Sequence, residues 1–522
     1  MNTSSSHPAG SLRVLVTVCI AAVILPLNFV SGAVATPAIA RELGGSAQAL
    51  SWITNSFMLT FGCFLMAAGA LADEIGRKKV FISGVSLFAL LSLLQAFSNS
   101  LLWMDVLRGA QGIAAAGALA GGAAALAQEF DGAARTRAFS LMGSSFGVGL
   151  AFGPFLAGLL IAHFGWRAVF FSATVIALIA LLTGASKMRE TRNPQASGID
   201  WPGTVTFTAM LALLTWALMA IPQYGVQSTQ VVALLAGAAL LLVLFVGVEL
   251  RVKQPMLDLS LFRYIRFIGV QALPLATGFC FVVLLVILPM LFIGVRGLSE
   301  ERAGLMMMAL SVPMLIVPLL AAWLTRWISA GVLCTAGLVI AAAGLGWLSQ
   351  AVLAQNVTAM IAPMLLIGIG TGLPWGLMDG LSVSVVPKER AGMATGIFST
   401  TRVAGEGISL AIVGAILAAM SHRALAAHFS SGELSQAAQR LATGNLTVTQ
   451  KLIPEASTAQ LQQLYAASLH PLLLCLMAIT LFSALVVLLA LKGNHQESDQ
   501  VTAAGQKDLS PKSASSTGRS RA

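Results

Sequence analysis

Charge is scarce in this sequence. Asp, Glu, Lys and Arg make up 10 % of its 522 residues, against about 25 % in a soluble domain. That shortfall excludes a water-soluble globule, whose surface needs polar cover. With 57 % hydrophobic residues and a mean hydropathy of +0.86, the bilayer is the main solvent of the chain. Cysteine is scarce too. The five, Cys19, Cys63, Cys280, Cys334 and Cys475, stand singly inside apolar stretches. No CxxC pair and no His cluster accompanies them, so neither a disulfide framework nor a metal centre is expected. They read as small buried hydrophobes. The loops carry no DxD, HxxxH or Ser/His constellation, which argues against a membrane enzyme such as a lipid-linked glycosyltransferase. No cofactor is implied. The polar tail, residues 493–522, is too short for a signalling domain, which argues against a receptor. The net charge of +10 does not imply nucleic acid, because the basic residues are spread over short loops rather than gathered in a patch.

What is present is a series of apolar runs, each long enough to cross about 30 Å of hydrocarbon. They lie at about 12–35, 50–71, 80–98, 102–125, 137–161, 167–186, 202–222, 230–250, 266–293, 303–323, 330–352, 357–386, 392–420 and 468–492. That makes fourteen spans, with both termini on one side. Arg13, the apolar run to Leu27 and Ala33-Val34-Ala35 have the outline of a signal peptide. The apolar character continues to about Ala40, which favours an uncleaved first span. Fifty glycines suit helices that pack closely in lipid.

Lys and Arg set the orientation. With the N-terminus in the cytosol, cytosolic loops and tails hold 21 of the 30 basic residues. These include Arg77-Lys78-Lys79, Arg135, Arg137, Lys187, Arg189, Arg192, Arg251, Lys253, Arg263, Arg266, Lys388 and Arg390. Only Arg41, Arg167, Arg296, Arg302, Arg423, Arg440 and Lys451 fall outside, and Arg108 and Arg402 fall within spans. Residues 421–467 read as one long polar outer loop containing a short helix, and the tail from Gly493 as disordered.

The most specific segment joins spans 2 and 3: Gly69-Ala-Leu71-Ala-Asp73-Glu-Ile-Gly76-Arg77-Lys78-Lys79. Gly69 and Gly76 allow close approach and a sharp turn. Asp73 suits a helix N-terminus, and the three bases hold the loop at the cytosolic face. Such a loop can latch one half of a carrier to the other. Asp105, Arg108, Gln111 and Gly112 follow in span 4, then Gly149, Gly153-Pro154 and Gly158 in span 5.

These motifs resemble those of the major facilitator superfamily. The loop is similar to GxLaDrxGrkxx, with Glu74 where a base is common. The span 4 residues resemble RxxQG. The span 5 residues resemble the gxxxGPxxGG motif of exporters that work as antiporters, with Ala157 for the first of the final glycines. Fourteen spans narrow the resemblance to the drug:proton antiporters of the EmrB/QacA-like group, over nearly all of residues 10–490. The resemblance implies an all-α membrane protein in the major facilitator fold, two six-helix bundles plus two extra helices. The divisions would be a tail 1–11, a first bundle 12–186, an insert 187–265, a second bundle 266–492 and a tail 493–522. Ile199-Asp200-Trp201-Pro-Gly203 and Pro255-Met-Leu-Asp258 through Arg263 resemble segments that bracket such an insert. A weak echo of the loop motif at Ala321–Ala330, with Thr325 at the acid's place, is consistent with two repeats. The first span departs from the family's lDxTvvNvAlP. Asn28 replaces the acid, Val30 the threonine and Ala33 the asparagine, which puts the coupling residue in question.

Charges inside spans are functional candidates by default. Asp105 lies three residues before Arg108 on one helix face, so the two are expected to hold each other's charge and to serve as proton-coupling residues, with Arg108 releasing a proton from a nearby acid when it repositions. Spans 12 and 13 turn near Glu389. Equal rise from that turn brings Asp379 near Arg402, with Glu406 one turn beyond. Asp379, Arg402 and Glu406 are expected to form a proton-coupling triad, with Glu406 as protonation site or anchor of a cationic substrate. Asn28, Trp52, Asn55, Gln111 and Trp375 are candidate cavity residues, suited to a flat amphipathic molecule. The resemblance implies an exporter of small amphipathic or cationic molecules in exchange for protons, in the bacterial inner membrane. The alternative is a dedicated metabolite, amino-acid or siderophore exporter. A periplasmic adaptor and outer-membrane channel are conceivable partners.

Overall fold

A computed structural model describes residues 8–491 apart from 46, 131, 185–187, 192–199, 226, 253–256, 258, 355, 387–390 and 431. The N-terminal residues 1–7, the tail from 492, Lys187, Arg192, Ile199, Lys253, Pro255, Asp258, Lys388, Glu389 and Arg390 lie outside the described residues. Among those described, fourteen helices are long and apolar enough to cross a membrane. Spans 1–5 are Ser11–Leu43, Ala49–Ile75, Arg77–Ala96, Leu101–Glu129 and Arg137–Phe164. Spans 6–10 are Arg167–Gly184, Trp201–Leu218, Thr229–Glu249, Ile265–Val295 and Glu300–Leu324. Spans 11–14 are Ala330–Leu353, Val357–Ser382, Gly396–Ala426 and Thr458–Leu491. The signal-peptide outline is not realised as a break, since the first helix runs unbroken from Pro8 to Leu43.

Several starts are written in the sequence as caps. Ser100, Ser228 and Ser299 accept the backbone N–H of Trp103, Val231 and Arg302 at 3.2, 3.2 and 3.3 Å. Asp200 accepts from Gly203 N at 2.9 Å, with Pro202 in the first turn. Each satisfies an N–H that the helix itself leaves unpaired.

Two corrections to the expected boundaries concern the polar segment between spans 13 and 14. Span 13 continues to Ala426 and span 14 begins at Thr458, so the polar loop is not 421–467 but the shorter segment 427–457. It holds two helices, Leu434–Ala442 and Leu446–Leu452, and it is packed rather than solvated. Ala437, Ala438, Leu441 and Leu446 are buried. Gly444, at φ +74°, lies against Gly294 of span 9, with 3.2 Å from its Cα to the position of a Gly294 side chain. Polar residues at its exposed positions obscured the apolar face.

Span 9 sits at the centre of the molecule, with 78 % of its apolar stretch buried against 17 % for span 8. It is not a regular helix. Wider π turns occupy Gly278–Val282 and Met290–Val295, a form that often marks functional segments. Spans 7 and 8 pair with each other, and span 7 lies over the junction of spans 2 and 13. Thr208 donates to Cys63 O at 3.2 Å across that contact. The first six spans and the last six meet along two seams where small residues face one another. Gly62 of span 2 meets Ala404 of span 13, 3.0 Å from its Cα, and Gly158 of span 5 meets Glu300 and Gly304 of span 10.

Candidate functional site

The loop between spans 2 and 3 is a tight turn. Gly76 has φ +128°, a conformation only glycine adopts without strain. A side chain there would run into the carboxylate of Glu190. Arg77 N donates to Thr191 O at 3.1 Å. Asp73 differs from expectation, since it ends the helix of span 2 rather than starting span 3. It accepts from Arg77 Nε and Nη2 at 3.0 and 2.7 Å, because Arg77 lies one turn on, at i+4. Gly69 also differs. It has nothing within 4 Å of a modest side chain, so no close approach requires it. Lys78 and Lys79 lie beside Ile82, Ser83 and Glu190. The turn is thus fastened to the segment that follows span 6.

Arg108 is fully buried in span 4. Its Nε donates to Ile53 O at 2.7 Å and its Nη1 to Gln111 Oε1 at 2.9 Å. Nη1 also donates to Asn28 Oδ1. Phe57 covers the guanidinium, 4.7 Å from its ring centroid. Among the described residues no hydrogen bond or ion pair joins Arg108 to Asp105, whose Oδ1 has no partner, so the two charges act on each other only through space. Three residues along a helix share a face, but the guanidinium turns inward to Asn28 of span 1. Gln111 is committed to packing. It donates through Nε2 to Ser92 Oγ at 2.7 Å and accepts from Gln95 Nε2 at 3.1 Å. Sequence reading missed Ser92 and Gln95, although two polar residues three apart in an apolar span were a visible signal.

The second cluster does assemble. Arg402 Nη1 donates to both oxygens of Asp379 at 3.0 Å. Both residues are buried, as is Glu406. Glu406 makes no ion pair with Arg402, and its Oε1 has no partner among the described residues. The cluster touches the first half. Phe146 of span 5 stacks on the Arg402 guanidinium at 4.6 Å, and Asp379 closes over Gly143. The Trp375 indole N–H donates to Gly143 O at 3.2 Å, and its ring lies against Gly147, 2.8 Å from the position of a side chain there. Trp375 is therefore buried packing in this conformation. Gly143 and Phe146 were also missed. Gly143 and Gly147 stand one turn apart and extend the small-residue face of the span 5 motif.

That motif serves two contacts. Gly149 meets Val23 and Pro26 of span 1, at 2.8 Å from Pro26 Cγ, and Gly153 meets Val30 at 3.1 Å. Ser31 donates to Gly153 O at 3.3 Å, a carbonyl next to Pro154. Gly158 instead faces Glu300 O across the seam at 2.6 Å. At the same end Arg41 pairs with Glu300, tying span 1 to span 10. Trp52 and Asn55 are half-buried on span 2, away from Trp375. Among the described residues no group of His, Cys, Asp and Glu is arranged to hold a metal.

A family model described as the Major Facilitator Superfamily matches residues 17–410. The multidrug resistance protein Stp of Mycobacterium tuberculosis is 32 % identical, over 76 % of this chain and 74 % of its own. The tetracenomycin C resistance and export protein of Streptomyces glaucescens is 28 % identical, over 79 % and 78 %. The cephamycin export protein CmcT of Amycolatopsis lactamdurans is 30 % identical, over 78 % and 85 %. Among solved structures, a POT family transporter superposes with a TM-score of 0.59 at 12 % identity, covering 93 % of this chain and 96 % of that one. That likeness concerns the fold alone.

Proposed function

The chain belongs to the Major Facilitator Superfamily, and from that premise we propose that it is a drug exporter driven by inward proton movement. The resistance and export roles of its relatives support small amphipathic drugs as cargo. One observation carries the coupling. Glu406 is a carboxyl buried within a span, one turn from Arg402, with an oxygen that no group among the described residues satisfies. A charge in that setting is costly, so Glu406 gains or loses a proton as its access changes.

In this reading residues 12–186 and 266–492 are the two halves, and 187–265 is the insert covering one seam. The halves rock about the seams of spans 2/13 and 5/10. Asp379, Arg402 and Phe146 join the halves on the side where span 5 begins, and Arg41–Glu300 joins them at the opposite end. Each contact must open in turn. Gly76, Asp73, Arg77 and Lys78 hold the turn that rides with the first half. Proton entry supplies about 2.3 kcal/mol per charge per 100 mV. The basic residues support a bacterial inner-membrane placement with both termini in the cytosol. The cap 427–457 is then the face available to a periplasmic adaptor and outer-membrane channel.

The test is purified protein in liposomes holding a pH-sensitive dye, with an imposed proton gradient. Amphipathic compounds, both acids and cations, are added singly. Some should trigger proton release, and Glu406→Gln should abolish it. Release that persists in Glu406→Gln would remove Glu406 from the coupling path. Compound transport indifferent to an uncoupler would overturn proton drive itself.

A further inference from the structure

The two buried arginines are neutralised differently. Arg402 has a carboxylate partner in Asp379. Arg108 has none. Its three acceptors, Ile53 O, Asn28 Oδ1 and Gln111 Oε1, are all neutral. The nearest acid on its helix, Asp105, is partly exposed and bonds neither to it nor, through Oδ1, to anything else. Among the described residues no carboxylate is bonded to this guanidinium: Asp105, one turn away, acts on it only through space, and a buried charge without a bonded counter-charge is a state proteins avoid.

The free valences of Arg108 and Asn28 themselves are donors: among the described residues Arg108 Nη2 has no partner, and neither does Asn28 Nδ2. The orphan acceptor of this network, Gln95 Oε1, lies beyond Gln111. Both side chains are fully buried, at 0 % exposure. The Nη2 end lies against Gly32 of span 1, where a side-chain carbon would come within 2.8 Å of it. The absence of a side chain at Gly32 lets that end of the guanidinium pack directly against span 1, while Phe57 covers its face. The acceptors that a cation would need, Asn28 Oδ1 and Gln111 Oε1, are already occupied by Arg108 itself. A ligand group that suits this point must accept from two N–H donors and carry negative charge. A carboxylate does both, and the planar guanidinium matches it.

We propose that Arg108 and Asn28 seat the acidic group of the substrate, and that the molecules exported are amphipathic organic anions, with a carboxylate or a comparable oxyanion, rather than lipophilic cations. The proposal rests on the efflux reading and narrows it. It also reassigns two residues. Arg108 is a substrate-binding group instead of a coupling group, and Asn28 is required as a neutral amide. An aspartate at position 28 would neutralise Arg108 internally and fill the seat. Proton movement is left to Glu406 in the other half.

The experiment measures thermal unfolding and equilibrium binding of the detergent-purified chain with matched pairs, each an aromatic carboxylic acid and its alkyl ester. Rhodamine B with its ethyl ester and 1-naphthylacetic acid with its methyl ester are two such pairs. Acids should stabilise the protein and esters should not. Asn28→Asp, nearly the same size, should weaken acid binding about tenfold or more and leave ester binding unchanged. Arg108→Gln should do the same. Should that variant fail to fold, Asn28→Asp decides alone. A panel in which no acid is favoured over its ester overturns the proposal, and so does an Asn28→Asp protein that binds acids as before. The two readings fail separately in the liposome assay. Proton release driven by cations or esters but not by acids overturns the anion seat and leaves coupled efflux standing. Acid binding with no proton release for any compound overturns the coupling and leaves the seat.

Discussion

At the scale of single residues, the cost of an unmatched charge organises the interior. Asp379 and Arg402 are a buried pair joined by two hydrogen bonds of 3.0 Å. Removing one partner strands the other, a loss of about 3–5 kcal/mol for a buried pair. Asp379→Ala should therefore lower the thermal unfolding midpoint strongly. Asp379→Asn with Arg402→Gln should regain much of the loss, because neither member of the pair is left charged without the other. Equal destabilisation by the single and the double substitution would show that packing, not charge, sets the cost. This pairing was legible from the hairpin count, since two helices rising equally from one turn bring levels together. The pairing of Arg108 was not. Its choice between Asp105 and Asn28 depends on which way the side chain turns, and that is settled by span 1 packing beside it. Gly32 and Phe57, which complete its surroundings, carry no motif.

At the scale of elements, glycines divide into those a turn needs and those it does not. Gly76→Ala forces a side chain into a φ of +128° and toward Glu190, which should cost about 1–3 kcal/mol in thermal unfolding. Gly69→Ala lies in a helix with open space around it. It should be neutral or stabilising by up to about 1 kcal/mol. If the two variants unfold alike, the turn is not the reason for the motif's glycines. The cap invites a similar comparison. Leu441 is buried on its inward face, so Leu441→Ala should cost about 2–5 kcal/mol if the cap is as closely packed as its burial indicates. An unchanged unfolding midpoint would return 427–457 to the solvated loop its composition suggests. The cap was hidden because Ala, Gln and Ser dominate it. Its inward face sets Ala437, Ala438, Ala442 and Ala456 beside Leu441, Leu446 and Ile453, apolar residues too widely spaced among polar ones to read as an apolar run.

At the scale of the whole molecule, the seams between the halves are where transport and structure meet. Gly158 and Gly304 face each other across spans 5 and 10, with 3.5 Å from Gly304 Cα to a side-chain position on Gly158. A side chain at Gly158 has no room, since its first carbon would lie 2.6 Å from Glu300 O. Gly158→Leu should therefore hold this seam apart and stop substrate efflux in liposomes. Efflux that continues in Gly158→Leu would mean that the seam does not close during the cycle.

Composition and periodicity by themselves determined the membrane class, the fourteen spans and the motifs of the family, because a bilayer admits few ways to satisfy a helix backbone and writes them as long apolar runs. Local chemistry also determined the caps at Ser100, Asp200, Ser228 and Ser299. Only the tertiary structure decided which groups Arg108 bonds, where span 9 widens into π turns, and that polar residues 427–457 close over the bundle. Those outcomes depend on which side chains from distant segments meet, and a single chain of residue types does not state its own neighbours.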